Sequence, residues 1–273
     1  MIAAFWSNDP GLGCTSSDLA ALAVTLSLQY GKKIVMLENH ISMRDLKSML
    51  MGGHYRSVIK ERDYAMDYGV ERAFRSGGQE TASDWKENAE ALIPDRLWYL
   101  PIRTENDEVY VYHLEKIITP LLSELNQEFD CVFVDLSAGK NPTTQLILNQ
   151  ADLIVMNLFQ HPRTFTAALS EVSAWKDKLF YLFGDYVEDS RFSSEKYRRF
   201  FGLPEGRIGR ILHSPLYQDA IYTGNVIRFI TAGQNGGRHR IAYDFFHELD
   251  TSAELICPLL ESSGHTQEEG GVL

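Results

Sequence analysis

The first forty residues hold the feature that most constrains the fold. An apolar segment from Ile2 to Trp6 predicts a strand, and a loop over 8–16 follows it. A helix is predicted from Ser17 to Tyr30, and a second apolar strand from Ile34 to Leu37. Two strands joined by a helix in this way are typical of a parallel sheet that is covered on both faces. This stretch therefore predicts the opening unit of an α/β domain.

The rest of the chain continues the alternation. Further strands are predicted at Leu97 to Leu100, Cys131 to Val134, Leu153 to Leu158, Leu179 to Phe183 and Ile208 to Leu212. Helices are predicted at Met43 to Met51, Val109 to Asn126, Pro142 to Asn149, Pro162 to Trp175, Ser193 to Phe201, after Pro215 near Ala220, and at Arg240 to Leu249. The expected fold is a mostly parallel, twisted sheet with helices on both faces, in three α/β/α layers.

The length is suited to one domain. A chain of 273 residues can bury about three quarters of its unfolded surface. We predict a single domain over 1–261 and a disordered acidic tail over 262–273, which is rich in Gly, Ser and Glu. Residues 52–94 are the least readable part of the chain, with only a weakly helical pattern over Tyr64 to Phe74, and their role stays open.

The net charge and the cysteines indicate which ligands and which cellular compartment are expected. Lys and Arg number 26 against 37 Asp and Glu, a net charge of −11, so binding to nucleic acid is not expected. The three cysteines, Cys14, Cys131 and Cys257, show no pairing pattern or metal-ligand spacing, which fits a reducing compartment. No segment approaches the ~20 apolar residues of a membrane span, and the first residues lack a secretory signal. These features predict a cytoplasmic protein with no direct membrane insertion.

The loop after the first strand has the pattern of a phosphate-binding loop. The pattern G-x-x-x-x-G-K-[ST] places Asn8 at the first glycine, Gly13 at the second and Thr15 at the hydroxyl position. Backbone N–H groups and the positive end of the helix dipole would face the anion. The lysine position holds Cys14 instead. The loop is therefore recognisable, but its side-chain chemistry is changed.

Four segments together resemble the ParA/MinD branch of the P-loop NTPases. They are the strand–loop–helix opening with Gly31 to Glu38, the segment Phe129 to Gly139, the entry Ala151-Asp152 into the strand to Leu158, and Arg210 to Pro215 followed by Asp219-Ala220. The resemblance covers most of residues 1–230 in order. It implies a P-loop NTPase-like fold that holds ATP or ADP with Mg²⁺.

The resemblance also implies site residues. The nucleotide would contact Gly11, Leu12, Gly13, Cys14, Thr15, Ser16, Ser214 and Pro215. Magnesium would lie near Thr15 and Asp135, and His40 and Asp135 are the candidate catalytic residues. Gly139 corresponds to the glycine of the switch that senses the terminal phosphate in that family.

The departures from the family concern charge. Its loop reads Lys-Gly-Gly-x-Gly-Lys-Thr-Thr, whereas residues 9–16 read Asp-Pro-Gly-Leu-Gly-Cys-Thr-Ser. Both lysines are missing, and Asp9 puts a carboxylate where one of them would reach across a dimer. The family's Asp-x-Asp is Glu38-Asn39-His40 here, so His40 stands where a residue would position the attacking water. A unit charge pair at ~4 Å is worth about 4 kcal/mol at a protein surface. We therefore expect weak nucleotide binding and weak or absent ATP hydrolysis, a pseudo-ATPase.

Two functions remain open. The segment Gly184 to Gly202 resembles TadZ/CpaE proteins, which implies a localisation or assembly factor for a Tad-type pilus or secretion system. Its partners would be a secretion ATPase or a membrane platform that recruits it to the inner face of the membrane, and a homodimer is implied. The alternative is an active ATPase switch for partitioning or positioning, with a lysine such as Lys140 replacing the missing ones.

Each candidate residue also has a structural interpretation. Cys14 can be a small residue at a helix start, although a helix N-terminus would also make its thiol more reactive. Thr15 and Ser16 can be helix caps, and Asp135 can simply end a strand. Trp6 is expected in the core. His40, His161 and His213 are not spaced as a metal site.

Overall fold

The protein is described here from a computed structural model that covers residues 1–9, 13–40, 46–52, 69–70, 85–86, 88–102, 107–234 and 242–261. The strands are β1 (Ile2–Trp6), β2 (Ile34–Glu38), β3 (Glu90–Ile93), β4 (Leu97–Tyr99), β5 (Cys131–Asp135), β6 (Leu153–Leu158), β7 (Leu179–Tyr186) and β8 (Ile208–Leu212). Within these residues the eight strands form one sheet in the order β3-β4-β2-β5-β1-β6-β7-β8. Neighbouring strands are parallel except for β3, which runs antiparallel to β4.

Helices cover the sheet. They are α1 (Thr15–Gln29), α2 (Asp107–Glu128), α3 (Pro142–Gln150), α4 (Pro162–Glu171), α5 (Ser194–Phe201), α6 (Pro215–Thr223), α7 (Val226–Gln234) and α8 (Tyr243–Ile256). Residues 46–52 are also helical. Helix α1 contacts β1 and β5 on one side and α7 and α8 on the other, which explains why every residue from Asp18 to Ser27 is buried. The predicted fold class, a mostly parallel α/β sheet, is confirmed.

Most element boundaries agree with the prediction to within a few residues. Strand β7 extends to Tyr186, past a register irregularity, and the helix predicted from Pro162 to Trp175 ends at Glu171 and continues as a 3₁₀ turn. The last long helix spans Tyr243–Ile256 and so extends past the predicted end at Leu249, whereas the predicted start at Arg240 lies outside the described residues. Ser193 caps α5 as expected, because its hydroxyl accepts the N–H of Lys196 at 3.4 Å.

The topology defines where a ligand would bind. Strand β1 lies between β5 and β6, neither of which follows it directly in the chain. In open α/β sheets such a switch in strand order leaves a crevice at the carboxyl ends of the strands. The carboxyl ends of β1, β2, β5 and β6 share one edge of the sheet because these strands are parallel. Among the described residues, no helix is long and apolar enough to cross a membrane.

Candidate functional site

Residues 13–15 lead into helix α1. Helix α1 begins at Thr15, two residues before the predicted start, and Cys14 precedes it with left-handed backbone angles (φ 52°, ψ 26°). The Cys14 carbonyl accepts the N–H of Asp18 and the hydroxyl of Ser17, both at 2.9 Å. A Cβ at Gly13 would lie 2.4 Å from Ser7 Oγ, so glycine is required for this close approach. Gly11 and Leu12 lie outside the described residues.

Asp9 puts an acidic group at the start of this loop. Its N–H donates to Ser7 Oγ at 3.3 Å. Its Oδ2 atom is buried and accepts no hydrogen bond. A buried carboxylate oxygen without a donor repels other anions, so this side of the loop does not favour a phosphate group.

A second carboxyl group, that of Asp18, lies in the first turn of α1 and is only 1% exposed. Asn157 Nδ2 at the end of β6 donates to its Oδ2 atom at 2.8 Å. Burial, and secondarily the charge of Asp185, raise the pKa of Asp18 well above its usual value. A Cβ at Gly184 would lie 2.3 Å from Asp18 Oδ2, so β7 presses directly on this carboxyl group. This cluster was not predicted from the sequence; the available signal was an acidic residue followed directly by the apolar residues of α1.

Ser214 and Pro215 begin helix α6. The Ser214 hydroxyl accepts the N–H of Tyr217 at 3.3 Å and so caps this helix. The Tyr217 hydroxyl in turn donates to the carbonyl of Ser17 at 2.5 Å. Burial raises the pKa of Tyr217 well above its usual value, and the negative charge of Asp18 adds to this effect. The loop before α6 is therefore attached to the start of α1, and the role of Ser214 and Pro215 in nucleotide binding stays a prediction.

The ends of β2 and β5 bring two other candidates, His40 and Asp135, together with Glu38. Glu38 and Asp135 are paired in register on these neighbouring parallel strands and are 1% and 0% exposed. His40 Nε2 lies 3.5 Å from Asp135 Oδ2. The Glu38 carboxylate accepts the N–H of Leu46 at 3.0 Å and the hydroxyl of Tyr99 at 2.7 Å. Both carboxylate oxygens of Asp135 are buried and accept no hydrogen bond.

Asn39, between Glu38 and His40, connects β2 to the segment after β5. It is fully buried; its Oδ1 accepts the N–H of Ser137 at 2.6 Å, and its Nδ2 donates to Thr144 Oγ1 at 2.8 Å. On the other side, the indole N–H of Trp6 donates to the carbonyl of Gly139 at 2.8 Å. Segment 136–141 is therefore attached to the carboxyl ends of both β1 and β2.

The predicted site residues fall into two groups. His40 and Asp135 are in contact, and Thr15 opens the helix that follows β1 at the same edge of the sheet. Ser214 lies beyond β7, at the end of β8. The spacing of the histidines argues only against a metal site that the histidines form together. His40 could still bind a metal with its carboxylate neighbours, Glu38 and Asp135.

The chain is similar in fold to proteins of known structure, whereas its sequence matches no known family. No known protein-family model and no curated protein sequence matches this chain. Among solved structures, a ParA family ATPase from Chlorobium tepidum has a TM-score of 0.69 and 13% identity, over 91% of this chain and 98% of that one. The Pyrococcus furiosus cell division ATPase MinD has a TM-score of 0.67 and 16% identity, over 94% and 98%. MinD from Pyrococcus horikoshii, complexed with Mg-ADP, has a TM-score of 0.67 and 14% identity, over 93% and 95%. The chain thus has the fold of ParA and MinD ATPases.

Proposed function

We propose that this protein is a degenerate relative of the ParA and MinD ATPases. It binds Mg-ATP or Mg-ADP weakly, hydrolyses ATP slowly or not at all, and acts as a localisation or assembly factor for a Tad-type pilus or secretion system. The shared fold supports the family, and one neighbour of known structure is a Mg-ADP complex. The order of the matching segments over residues 1–230 supports it independently.

One observation carries the proposal of weak catalysis: the start of α1 lacks the cation that the family's loop places there. A thiol stands at position 14, and Asp9 adds a carboxylate at the start of the loop. Phosphoryl transfer depends on positive charge placed around the phosphate oxygens. Replacing one cation at ~4 Å by a neutral group removes about 4 kcal/mol at a surface-like dielectric, roughly a thousandfold in rate or affinity.

Some groups at the site could still bind a nucleotide with magnesium. The N–H groups at the start of α1 can bind phosphate oxygens, and the Thr15 hydroxyl and the Asp135 carboxylate are oxygen ligands of the kind that Mg²⁺ takes. Both Asp135 oxygens lack a hydrogen-bond donor, which leaves them available to a cation. Bound magnesium would neutralise phosphate charge. The residues fit the ion better than they fit the triphosphate.

A calorimetric titration tests this interpretation. We expect binding of ATP and ADP that is weak and requires Mg²⁺, and Cys14→Lys should tighten it at least tenfold, since it restores one cation (about 4 kcal/mol at most). Tyr222→Lys is the matched control, because it adds the same charge at a residue that is 67% exposed on α6. If the two lysine variants bind ATP equally, charge at position 14 does not limit binding.

An active ATPase switch is the second candidate. Lys140 is exposed and directly follows Gly139, whose carbonyl is held beside the end of β1 by Trp6. If Lys140 replaces the missing loop lysines, ATP turnover is measurable, and both Lys140→Ala and Asp135→Ala abolish it. Turnover that survives Lys140→Ala eliminates this role for the lysine.

The proposed partners are proteins. Residues 184–202, which resemble TadZ/CpaE proteins, carry two exposed phenylalanines: Phe200, 83% exposed on α5, and Phe192, 37% exposed before it. Exposed aromatic side chains are enriched at protein interfaces. Phe200→Ala should therefore reduce co-purification with a secretion ATPase or membrane platform, whereas Tyr243→Ala, a 52% exposed aromatic on α8, should not. Light scattering with and without Mg-ATP tests the proposed homodimer.

A further inference from the structure

We propose that Glu38, His40 and Asp135 form a binding site for a divalent transition-metal ion, of which Zn²⁺ is the best match, and that the site fills without nucleotide. One ligand atom from each residue lies within 4.8 Å of the other two. Neighbouring strands supply them: β2 ends with Glu38, His40 follows two residues later, and β5 ends with Asp135. The proposal does not depend on nucleotide binding.

The distance between His40 and Asp135 favours a shared ion over a direct hydrogen bond. Their Nε2 and Oδ2 atoms are 3.5 Å apart, whereas N–H···O bonds measure about 2.7–3.2 Å. Two ligands of a tetrahedral zinc ion, with bonds of ~2.1 Å, lie about 3.4 Å apart. The separation in the protein is thus the one that two ligands of a common ion adopt.

The burial of the carboxylates is an independent argument. Asp135 is 0% exposed, and neither of its oxygens accepts a hydrogen bond. Carboxylate oxygens that are buried without a hydrogen-bond donor are costly unless a positive charge compensates them. A divalent ion supplies it, and the His40 side chain, 14% exposed, leaves the site open on one side.

The ligand types indicate which ion binds. An imidazole nitrogen suits Zn²⁺, Cu²⁺, Fe²⁺ or Ni²⁺, whereas Mg²⁺ prefers oxygen ligands and keeps several waters. The proposed site shares Asp135 with the magnesium site considered above but needs no phosphate. It would also fix Asn39, which lies between two of its ligands and binds the N–H of Ser137. The bound ion would therefore hold segment 136–141 in its observed position.

The test is a calorimetric titration of the full chain with Zn²⁺, Mn²⁺ and Mg²⁺ after chelator treatment and without nucleotide. We expect one equivalent of Zn²⁺ to bind more tightly than Mg²⁺. His40→Ala should weaken Zn²⁺ binding by roughly 100-fold or more, since loss of an outer partner alone costs 10–100-fold. His213→Ala is the matched control: it removes another histidine that contacts a carboxylate, that of Asp185 at 2.8 Å, and should leave Zn²⁺ binding unchanged. Co²⁺ should give visible absorption in the wild type that His40→Ala removes.

Three results would overturn the proposal: no stoichiometric Zn²⁺ binding in the wild type, equal binding by the wild type and His40→Ala, or equal loss in His40→Ala and His213→Ala. Asp135→Asn keeps the shape of the side chain but removes its charge. Asp135→Asn should also fail to bind Zn²⁺. If circular dichroism shows that His40→Ala is unfolded, zinc binding by Asp135→Asn tests the proposed site instead. Because nucleotide is absent throughout, failure here leaves the proposed function untouched.

Discussion

Replacing Asp18 by asparagine should stabilise the protein at neutral pH. Asn157 Nδ2 donates to Asp18 Oδ2 at 2.8 Å, whereas the Oδ1 atom of Asn157 is buried and has no hydrogen-bond partner. An asparagine at position 18 keeps the acceptor and adds an N–H group for that oxygen. A buried polar atom without a partner costs about 1–3 kcal/mol. We expect that gain in the free energy of unfolding at pH 7, and a rise in Tm of roughly 2–6 °C for a chain of this size.

The effect should depend on pH in a defined direction. Burial first, and then the charge of Asp185, raise the pKa of Asp18 in the folded protein above its unfolded value near 3.8. The folded state therefore binds the Asp18 proton more tightly than the unfolded state does. The stability that this protonation contributes is fully present below the unfolded pKa and is lost as pH rises through the folded pKa. The advantage of Asp18→Asn should accordingly be largest above the folded pKa and should shrink as pH falls, because the protonated carboxyl group can itself donate to Asn157.

The assay is urea unfolding of both proteins at a series of pH values from neutral to acidic. Asp219→Asn, which neutralises an exposed carboxylate on α6, is the control and should change stability by less than about 0.5 kcal/mol. An Asp18→Asn variant that is less stable than the wild type at pH 7, or an advantage that does not vary with pH, would refute this account of the buried acid.

Three further changes test the packing around the site. Gly184→Ala should lower the free energy of unfolding by about 1–3 kcal/mol, because its Cβ would lie 2.3 Å from Asp18 Oδ2; urea unfolding measures it. Trp6→Phe removes the hydrogen bond to the Gly139 carbonyl, so hydrogen exchange over 136–141 should become faster, and unchanged exchange would show that Trp6 does not hold the segment. Burial raises the pKa of the Cys131 thiol to about 11, so native protein at pH 8 should leave Cys131 unlabelled by a thiol reagent that modifies it after unfolding.

The order of strands and helices could be predicted because most strands are short, fully apolar segments between polar turns. Strand β3 was missed because Glu90–Ile93 is only four residues long and lies, partly exposed, at the edge of the sheet. Helix α7 was missed as well; it is only nine residues long, and only part of it is buried. Strand β7 was predicted too short, since Gly184 within it suggests an end where the structure continues past a register irregularity.

Individual residues of the candidate site could be predicted from the sequence, but the contacts between them could not. His40 and Asp135 were each selected, yet their contact depends on the pairing of β2 with β5, which are far apart in sequence. Asp18 was not selected, because an acidic residue in the first turn of a helix is expected at the surface. Its burial comes from Asn157 and Gly184, which only the tertiary structure brings to it.

The central claim is that the changed loop supports little or no ATP hydrolysis, and steady-state turnover tests it most directly. Phosphate release is measured with saturating Mg-ATP for the wild type and for Asp135→Ala under identical conditions. The account predicts that the wild-type rate equals that of Asp135→Ala or exceeds it only slightly. Sustained turnover by the wild type that Asp135→Ala abolishes would contradict it and would identify an active ATPase.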